Sequence, residues 1–331
     1  MRKRPLKAQQ KQFDTVVRME KLSSREMFLK EEKRMVPVLS EIGFSIRKGE
    51  IWGIHGSSLF EIRLFLDIMA NIKPYGSGRC TLVGFGMMRR KRIILPHVFY
   101  IGNPGMIYNN MNVLEFLMFA TAKRTGDTVE RQEWIFEYLI RIGLGNISLT
   151  PANTLSKEQK AVVILLVGAF SDSPLVVFNF PGYQFDEVLC GAISEIAGLI
   201  RESGRTLVIG TQNGDLVEKA CTHIAFLKKG RMIYNGTIRE FCECYDKILL
   251  TIWDKDMESW ADRLKTAFPQ YLYVISGDSM TIRSRNKGEN DPKEIYGKMV
   301  KSGFYPQKVD INPKRVKNAC DEIMGVYDIQ E

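Results

Sequence analysis

The sequence predicts an α/β protein: a largely parallel sheet carrying a helical insertion, followed by a small α+β domain. Three observations point there. Apolar runs of strand length alternate with helical stretches from Ile51 to Leu227. The run Ile51–Ile54 leads through small residues into an apolar segment, Leu64–Met69, in the order strand, turn, helix. Beyond about Phe241 the pattern restarts as βαββαβα.

The elements follow in order. Residues 1–12 read as a disordered basic tail. Thr15–Glu20 and Val38–Arg47 read as strands, the second alternating from Ile42 to Ile46. Lys48-Gly49-Glu50 turns into the Ile51 strand, and Pro74–Gly78 is expected to break the helix that follows. Short strands are expected at Arg79–Val83 and Val98–Ile101, the latter stopping at Gly102-Asn103-Pro104. Val113–Ala122, Arg131–Ile142 and Ser156–Phe170 read as helices, which makes residues 104–170 a helical subdomain. Leu175–Phe180 and Thr206–Gly210 are buried strands around a helix, Glu187–Ser203. Leu216–Cys221 is helical, and Ile224–Leu227 pairs with Arg231–Asn235 across Lys229-Gly230.

The last part predicts strands at Lys247–Trp253, Leu272–Ile275, Thr281–Ser284 and Gln307–Ile311. Its helices are Ser259–Phe268, Pro292–Ser302 and Pro313–Met324, with Asn286–Asp291 as a polar loop. That order suggests a ferredoxin-like fold. The expected division is thus 1–12, 13–241 and 242–331.

Bulk properties narrow the function classes. The chain has 331 residues, 45% hydrophobic, and a net charge of +9. No apolar run approaches the roughly 18–20 residues of a membrane span, and no signal-peptide core follows the basic start. Six scattered cysteines and three histidines offer neither a disulfide framework nor a zinc site. A cytoplasmic protein with free thiols is expected. The basic residues are dispersed apart from the tail and Arg89–Arg92, so no nucleic-acid partner is expected.

The stretch from Gly49 to Arg63 carries the functional question. Glycines that let backbone N–H groups close on phosphate, a Lys for the β/γ oxygens and a Ser/Thr for Mg²⁺ make a phosphate loop. Gly53, Gly56, Ser57 and Ser58 keep the frame. Counting from Gly56, the second glycine is Glu61, the Lys position is Ile62, and the hydroxyl position is Arg63.

Taken with Val38–Glu50, Pro74–Gly78, Val98–Asn103, Leu155–Gln159, Leu175–Asp186, Thr206–Gln212 and Ile224–Gly236, these pieces resemble the ATP-binding subunits of ABC transporters. The resemblance covers roughly residues 15–245 and is nearest to the drug- and antibiotic-export type with a C-terminal extension. It implies a P-loop NTPase-like (ABC ATPase) sheet, ATP and Mg²⁺ as cofactors, a membrane permease and a second ATP-binding subunit as partners, and a place on the inner face of the cell membrane.

Position by position, the resemblance also implies a loss of chemistry. Asn103 stands for the glutamine that contacts Mg²⁺ and water. The signature segment reads Leu155-Ser156-Lys157-Glu158-Gln159; Ser156 and Gln159 survive, yet Ser-x-x-Gln before an apolar helix is also a capping box. Asn179 and Phe180 stand for the Mg²⁺-holding Asp and the water-polarising Glu, and Gln212 for the switch histidine. Arg63 is a candidate substitute cation, or half of a Glu61–Arg63 pair, and Phe28 a candidate adenine-stacking ring. Met106, Ile107, Tyr108, Met111, Val113 and Phe116 suit a groove for a permease helix, or the core of the insert.

The expectation is a degenerate, non-hydrolysing subunit with weak ATP binding and no metal site, paired with a competent subunit in preference to a second copy, and supporting export. Two alternatives stand beside it. One is an ATPase working through Arg63 and Asn179; the other is a soluble regulatory or nucleic-acid-binding pseudo-ATPase.

Overall fold

The computed structural model describes residues 14–29, 33–87, 91–103, 105, 107–108, 110–123, 127–255, 257–285, 292–311 and 314–325. The expected tail and the polar loop at 286–291 lie outside them.

Two sheets enclose the first helix. Strands β1 (Thr15–Ser24), β4 (Ile42–Arg47), β6 (Tyr75–Leu82) and β7 (Phe85–Gly86) form an antiparallel sheet in the order β4-β1-β6-β7. Alternation places Ile42, Phe44 and Ile46 inward. A separate hairpin, β2 (Glu26–Leu29) with β3 (Arg34–Pro37), was not anticipated, because four-residue strands are too short to show a readable period.

The second sheet has six strands in the order β12-β11-β5-β10-β9-β8. Here β5 is Ile51–Gly56, β8 Val98–Ile101, β9 Leu175–Asn179, β10 Thr206–Gly210, β11 His223–Lys228 and β12 Arg231–Thr237. All neighbours are parallel except the β11–β12 hairpin. Strands β5, β9 and β10 are buried at every position, which is why they read as continuous apolar runs. Helix α1 (Leu59–Met69) lies between the sheets and buries Ile62, Phe65, Leu66 and Met69 against Val17, Phe44 and Ile54.

Three boundaries differ from expectation for backbone reasons. The predicted strand at Val38 begins only at Ile42, because Glu41 takes a left-handed conformation (φ 51°) and Ser40 N–H bonds Gly230 O instead. Helix α1 stops at Met69 with Asn71 left-handed (φ 58°), so Tyr75–Gly78 belong to β6 and are not the breaker. The last helix starts at Val316, not Pro313.

A one-turn helix, α2 (Lys91–Ile94), precedes β8, and the insertion after it contains α3 (Val113–Ala120), α4 (Thr128–Arg141) and α5 (Lys157–Phe170). Asn112 with Glu115 and Ser156 with Gln159 form reciprocal capping boxes at the starts of α3 and α5. Helix α5 packs on the sheet, where Gly168 admits Phe99 and Val176. Helices α6 (Glu187–Glu202), α7 (Gly214–Ala220) and α8 (Ile238–Tyr245) complete this unit.

The remainder is β13 (Ile248–Trp253), α9 (Met257–Ala267), β14 (Tyr271–Ser276), β15 (Ser279–Ser284), α10 (Pro292–Lys301), β16 (Lys308–Ile311) and α11 (Val316–Met324). Its antiparallel sheet runs β14-β15-β13-β16 over a core of its own. The expected 241/242 boundary falls inside α8. Helix α11 also returns to the first unit, burying Val316, Ala319 and Cys320 against Val217, Phe226 and Phe241. The Asp246 carboxylate anchors that return, accepting Ile248 N–H (2.9 Å), Arg315 N–H (2.8 Å) and Asn318 Nδ2–H (3.2 Å).

Candidate functional site

The C-terminal ends of β5, β8, β9 and β10 meet the start of α1, the place where ligands of open parallel sheets bind. Strand β5 ends at Gly56, and only Ser57 and Ser58 separate it from α1. Ser58 is the N-cap; its hydroxyl accepts Glu61 N–H at 3.3 Å and its carbonyl accepts Ile62 N–H at 3.2 Å. Ser57 N–H goes to Leu227 O at 3.1 Å. The Ser57, Glu61 and Ile62 N–H groups are therefore bonded within the chain.

Both loop glycines answer to packing. A Cβ on Gly56 would lie 2.4 Å from Leu227 O, and one on Gly53 would lie 2.9 Å from the Val217 methyls. Because α1 starts at Leu59, residues 61–63 sit on its opening turns and not in an open loop. Ile62 is fully buried beside Gly210. Glu61 turns toward the β11–β12 hairpin, where its carboxylate accepts Gly230 N–H; burial outweighs that bond and raises its pKa. No Glu61–Arg63 ion pair exists; Arg63 is exposed.

At the tip of β9, Asn179 is 1% exposed. Its Nδ2 faces Asp67 Oδ1 (2.9 Å), Tyr100 OH (3.1 Å) and Arg63 O (3.2 Å). Tyr100 OH donates to Asp67 Oδ1 at 2.5 Å, and Lys73 Nζ pairs with Asp67 Oδ2 at 3.0 Å. Burial, then the Asp67 bond, pushes the Tyr100 phenol up to about 12. Sequence reasoning passed over Asp67, Tyr100 and Lys73. The available signal was a lone carboxylate inside the apolar run Leu64–Met69.

The next position holds Phe180, 2% exposed, packed on Phe178 (5.1 Å between ring centroids) and stacked with Tyr183 (4.6 Å). Lys157 of the signature segment lies over the Tyr183 ring at 5.0 Å. Gln212 donates from Nε2 to Gly56 O at 2.9 Å, and its backbone carbonyl lies 3.1 Å from His55 Nε2. Burial lowers the pKa of His55 to about 4.

The other expected residues are placed elsewhere. Asn103 is exposed and its Oδ1 accepts Gly105 N–H at 2.8 Å. Ser156 and Gln159 spend their side chains on the α5 capping box at 3.1 and 3.0 Å. Phe28 pairs with Met35 in the β2–β3 hairpin, and its side chain lies outside the described residues. Of the expected groove, Ile107, Val113 and Phe116 are buried in the core of the insert. Met111 packs against that core, and Met106 lies outside the described residues. Tyr108 is exposed, edge-to-face with exposed Phe119 at 5.6 Å. Among the described residues no three His, Cys, Asp or Glu side chains cluster as a metal site, and no helix is long and apolar enough to cross a membrane.

Chemically, this arrangement offers a buried amide, a ring and an aliphatic chain where a phosphate-handling site needs a carboxylate, a base and a cation. The residues present do not fit Mg-ATP held in the manner of a phosphate loop.

No protein-family model matches the chain. It is 23% identical over 205 residues to an uncharacterized ABC transporter ATP-binding protein of Methanocaldococcus jannaschii, covering 62% of this chain and 74% of the relative. It is also 23% identical over 265 residues to the phosphonates import ATP-binding protein PhnC of Stutzerimonas stutzeri, covering 72% of this chain and 93% of that one. Among solved structures it resembles the dimeric ATP-binding cassette MJ0796, in a post-hydrolysis state bound to ADP and Pi. The TM-score is 0.56 at 16% identity, covering 67% of this chain and 99% of the other. Sequence likeness and fold agree on one architecture, the α/β nucleotide-binding domain of ABC transporters.

Proposed function

We propose that this chain, built on the architecture of an ABC transporter nucleotide-binding domain, is a non-hydrolysing subunit that supports export. Its partners are a competent ATP-binding subunit and a membrane permease. The single observation that carries this reading is Phe180: the position that should polarise water is a buried ring packed on Phe178 and Tyr183. A missing general base alone costs about 10²–10⁴ in rate. Ile62 in the core and Asn179 bonded to Asp67 remove the cation and the metal carboxylate as well.

A hetero-pair is favoured over two copies, because a pair of these chains has no competent site. The mouth of the site supports a dry contact with the partner: Leu59 and Phe60 are 44% and 45% exposed on the first turn of α1. The exposed Tyr108–Phe119 pair supports a permease contact, and with it a peripheral position on the inner membrane face. Export, and not the import named for PhnC, rests on the C-terminal extension, whose strand order supports a ferredoxin-like domain. Nucleic acid has no part in this reading.

Purified protein assayed with Mg-ATP tests it. Turnover at the buffer background is expected, and Mg-dependent turnover abolished by no substitution other than those at Arg63 or Asn179 would establish the substitute-residue ATPase instead.

A further inference from the structure

We propose that Asp67, Asn179, Tyr100 and Lys73 form a metal-free bolt that holds the ends of α1, β8 and β9 together without nucleotide. It rests on the non-hydrolysing reading above and concerns what occupies the site in place of Mg-ATP.

The bolt joins elements distant in sequence. Asp67 lies on α1, Lys73 just beyond it, Tyr100 on β8 and Asn179 at the tip of β9. Asp67 is 6% exposed, so its charge needs a partner. One oxygen accepts the Tyr100 hydroxyl and an Asn179 N–H; the other meets the Lys73 ammonium at 3.0 Å. The Asp67 carbonyl also accepts Ile72 N–H (2.9 Å) and Lys73 N–H (3.1 Å), which brings the lysine stem back toward its carboxylate. Arg63, on the same helix, is the remaining cation acting on Tyr100.

The residue types form a matched set. An amide at 179 donates where a carboxylate can only accept. An aspartate there would put oxygen against Asp67 Oδ1 at the 2.9 Å now spanned by the amide. Two carboxylates that close cannot both ionise. The negative charge of the site thus sits on the helix, at Asp67, and not at the strand tip, and the balancing cation is an ammonium of the chain itself. A carboxylate at 179 is destabilising while Asp67 is ionised.

Thermal unfolding of the full chain tests this with Asn179→Asp, Asp67→Asn and the double variant. Asn179→Asp is expected to lower Tm by about 5–10 °C at pH 8. The loss is smaller at pH 5, because the crowded pair holds a proton there and releases it as pH rises. The double variant again holds one amide and one carboxylate, and is expected to recover most of the loss. If Asn179→Asp does not fold, a folded double variant near the wild-type Tm carries the same conclusion. Additive losses in the double variant, or a wild-type Tm raised by Mg²⁺ alone, overturn the bolt. The two failures are distinct: ATP turnover by the wild type strikes the functional reading, whereas additivity strikes the bolt.

Discussion

Gln212 and Gly56 are joined across the ends of β10 and β5 by an amide-to-carbonyl hydrogen bond of 2.9 Å. The side chain that stands where the family resemblance places a titrating switch is committed to the backbone at the end of β5. Gln212→Ala removes a half-buried bond and leaves the Gly56 carbonyl without this donor. A loss of about 1 kcal/mol in urea unfolding is expected. A variant as stable as the parent would show that the bond does not contribute.

His55 gives the fold a sign-determined pH dependence. Its folded pKa is lowered to about 4 by burial, from an ordinary 6.5. The unfolded chain then binds the extra proton first, so this stability is fully present above about pH 6.5 and is lost as pH falls toward 4. The amount at stake is up to about 3 kcal/mol. Denaturant titrations at pH 7 and pH 5 should show the decline, and His55→Gln should flatten that part of the profile.

Restoring one loop residue should not restore the loop. Ile62 is fully buried on α1, so Ile62→Lys drives an ammonium into an apolar core. A destabilisation of about 3 kcal/mol or more is expected, with the lysine pKa depressed. Calorimetry with Mg-ATP should detect no gain in binding from this single change.

Asp246 ties the start of β13 to the start of α11, and Gly214 lets α11 come close, since a Cβ there would lie 2.9 Å from the Lys317 Cα. Asp246→Ala leaves the Ile248 and Arg315 N–H groups without their carboxylate. About 2–3 kcal/mol of stability should be lost. Amide exchange should rise first in Val316–Met324, whereas uniform protection would mean that the apolar contacts of α11 suffice.

Ser156→Ala should cost about 1 kcal/mol through the N-terminus of α5, the most deeply buried helix of the insert. Thermal unfolding measures it, and Ser156→Asp, which keeps a capping oxygen, should recover most of it.

Much of the fold was legible in the chain. Strand β10 matched its expected range and β5, β9 and β11 fell within a residue or two, because fully buried parallel strands leave uninterrupted apolar runs between turns. The Ser156–Gln159 capping box was legible because it is local, three residues apart. The β2–β3 hairpin was not, since four-residue strands are too short to carry a period; α8 was passed over although Ile238, Phe241, Cys242 and Tyr245 recur at helical spacing.

The sequence by itself determined which charges are missing: Ile62, Asn179, Phe180 and Gln212 are facts of composition at counted positions, and counting needs no coordinates. Tertiary structure alone decided what those residues do instead. Asp67 and Asn179 are 112 positions apart, and Gln212 and Gly56 are 156 apart. No periodicity or spacing rule reaches across such separations. Only the packing of α1 between two sheets, and the pairing of β10 with β5, bring these donors and acceptors within 3 Å, where burial makes an unpaired polar group expensive.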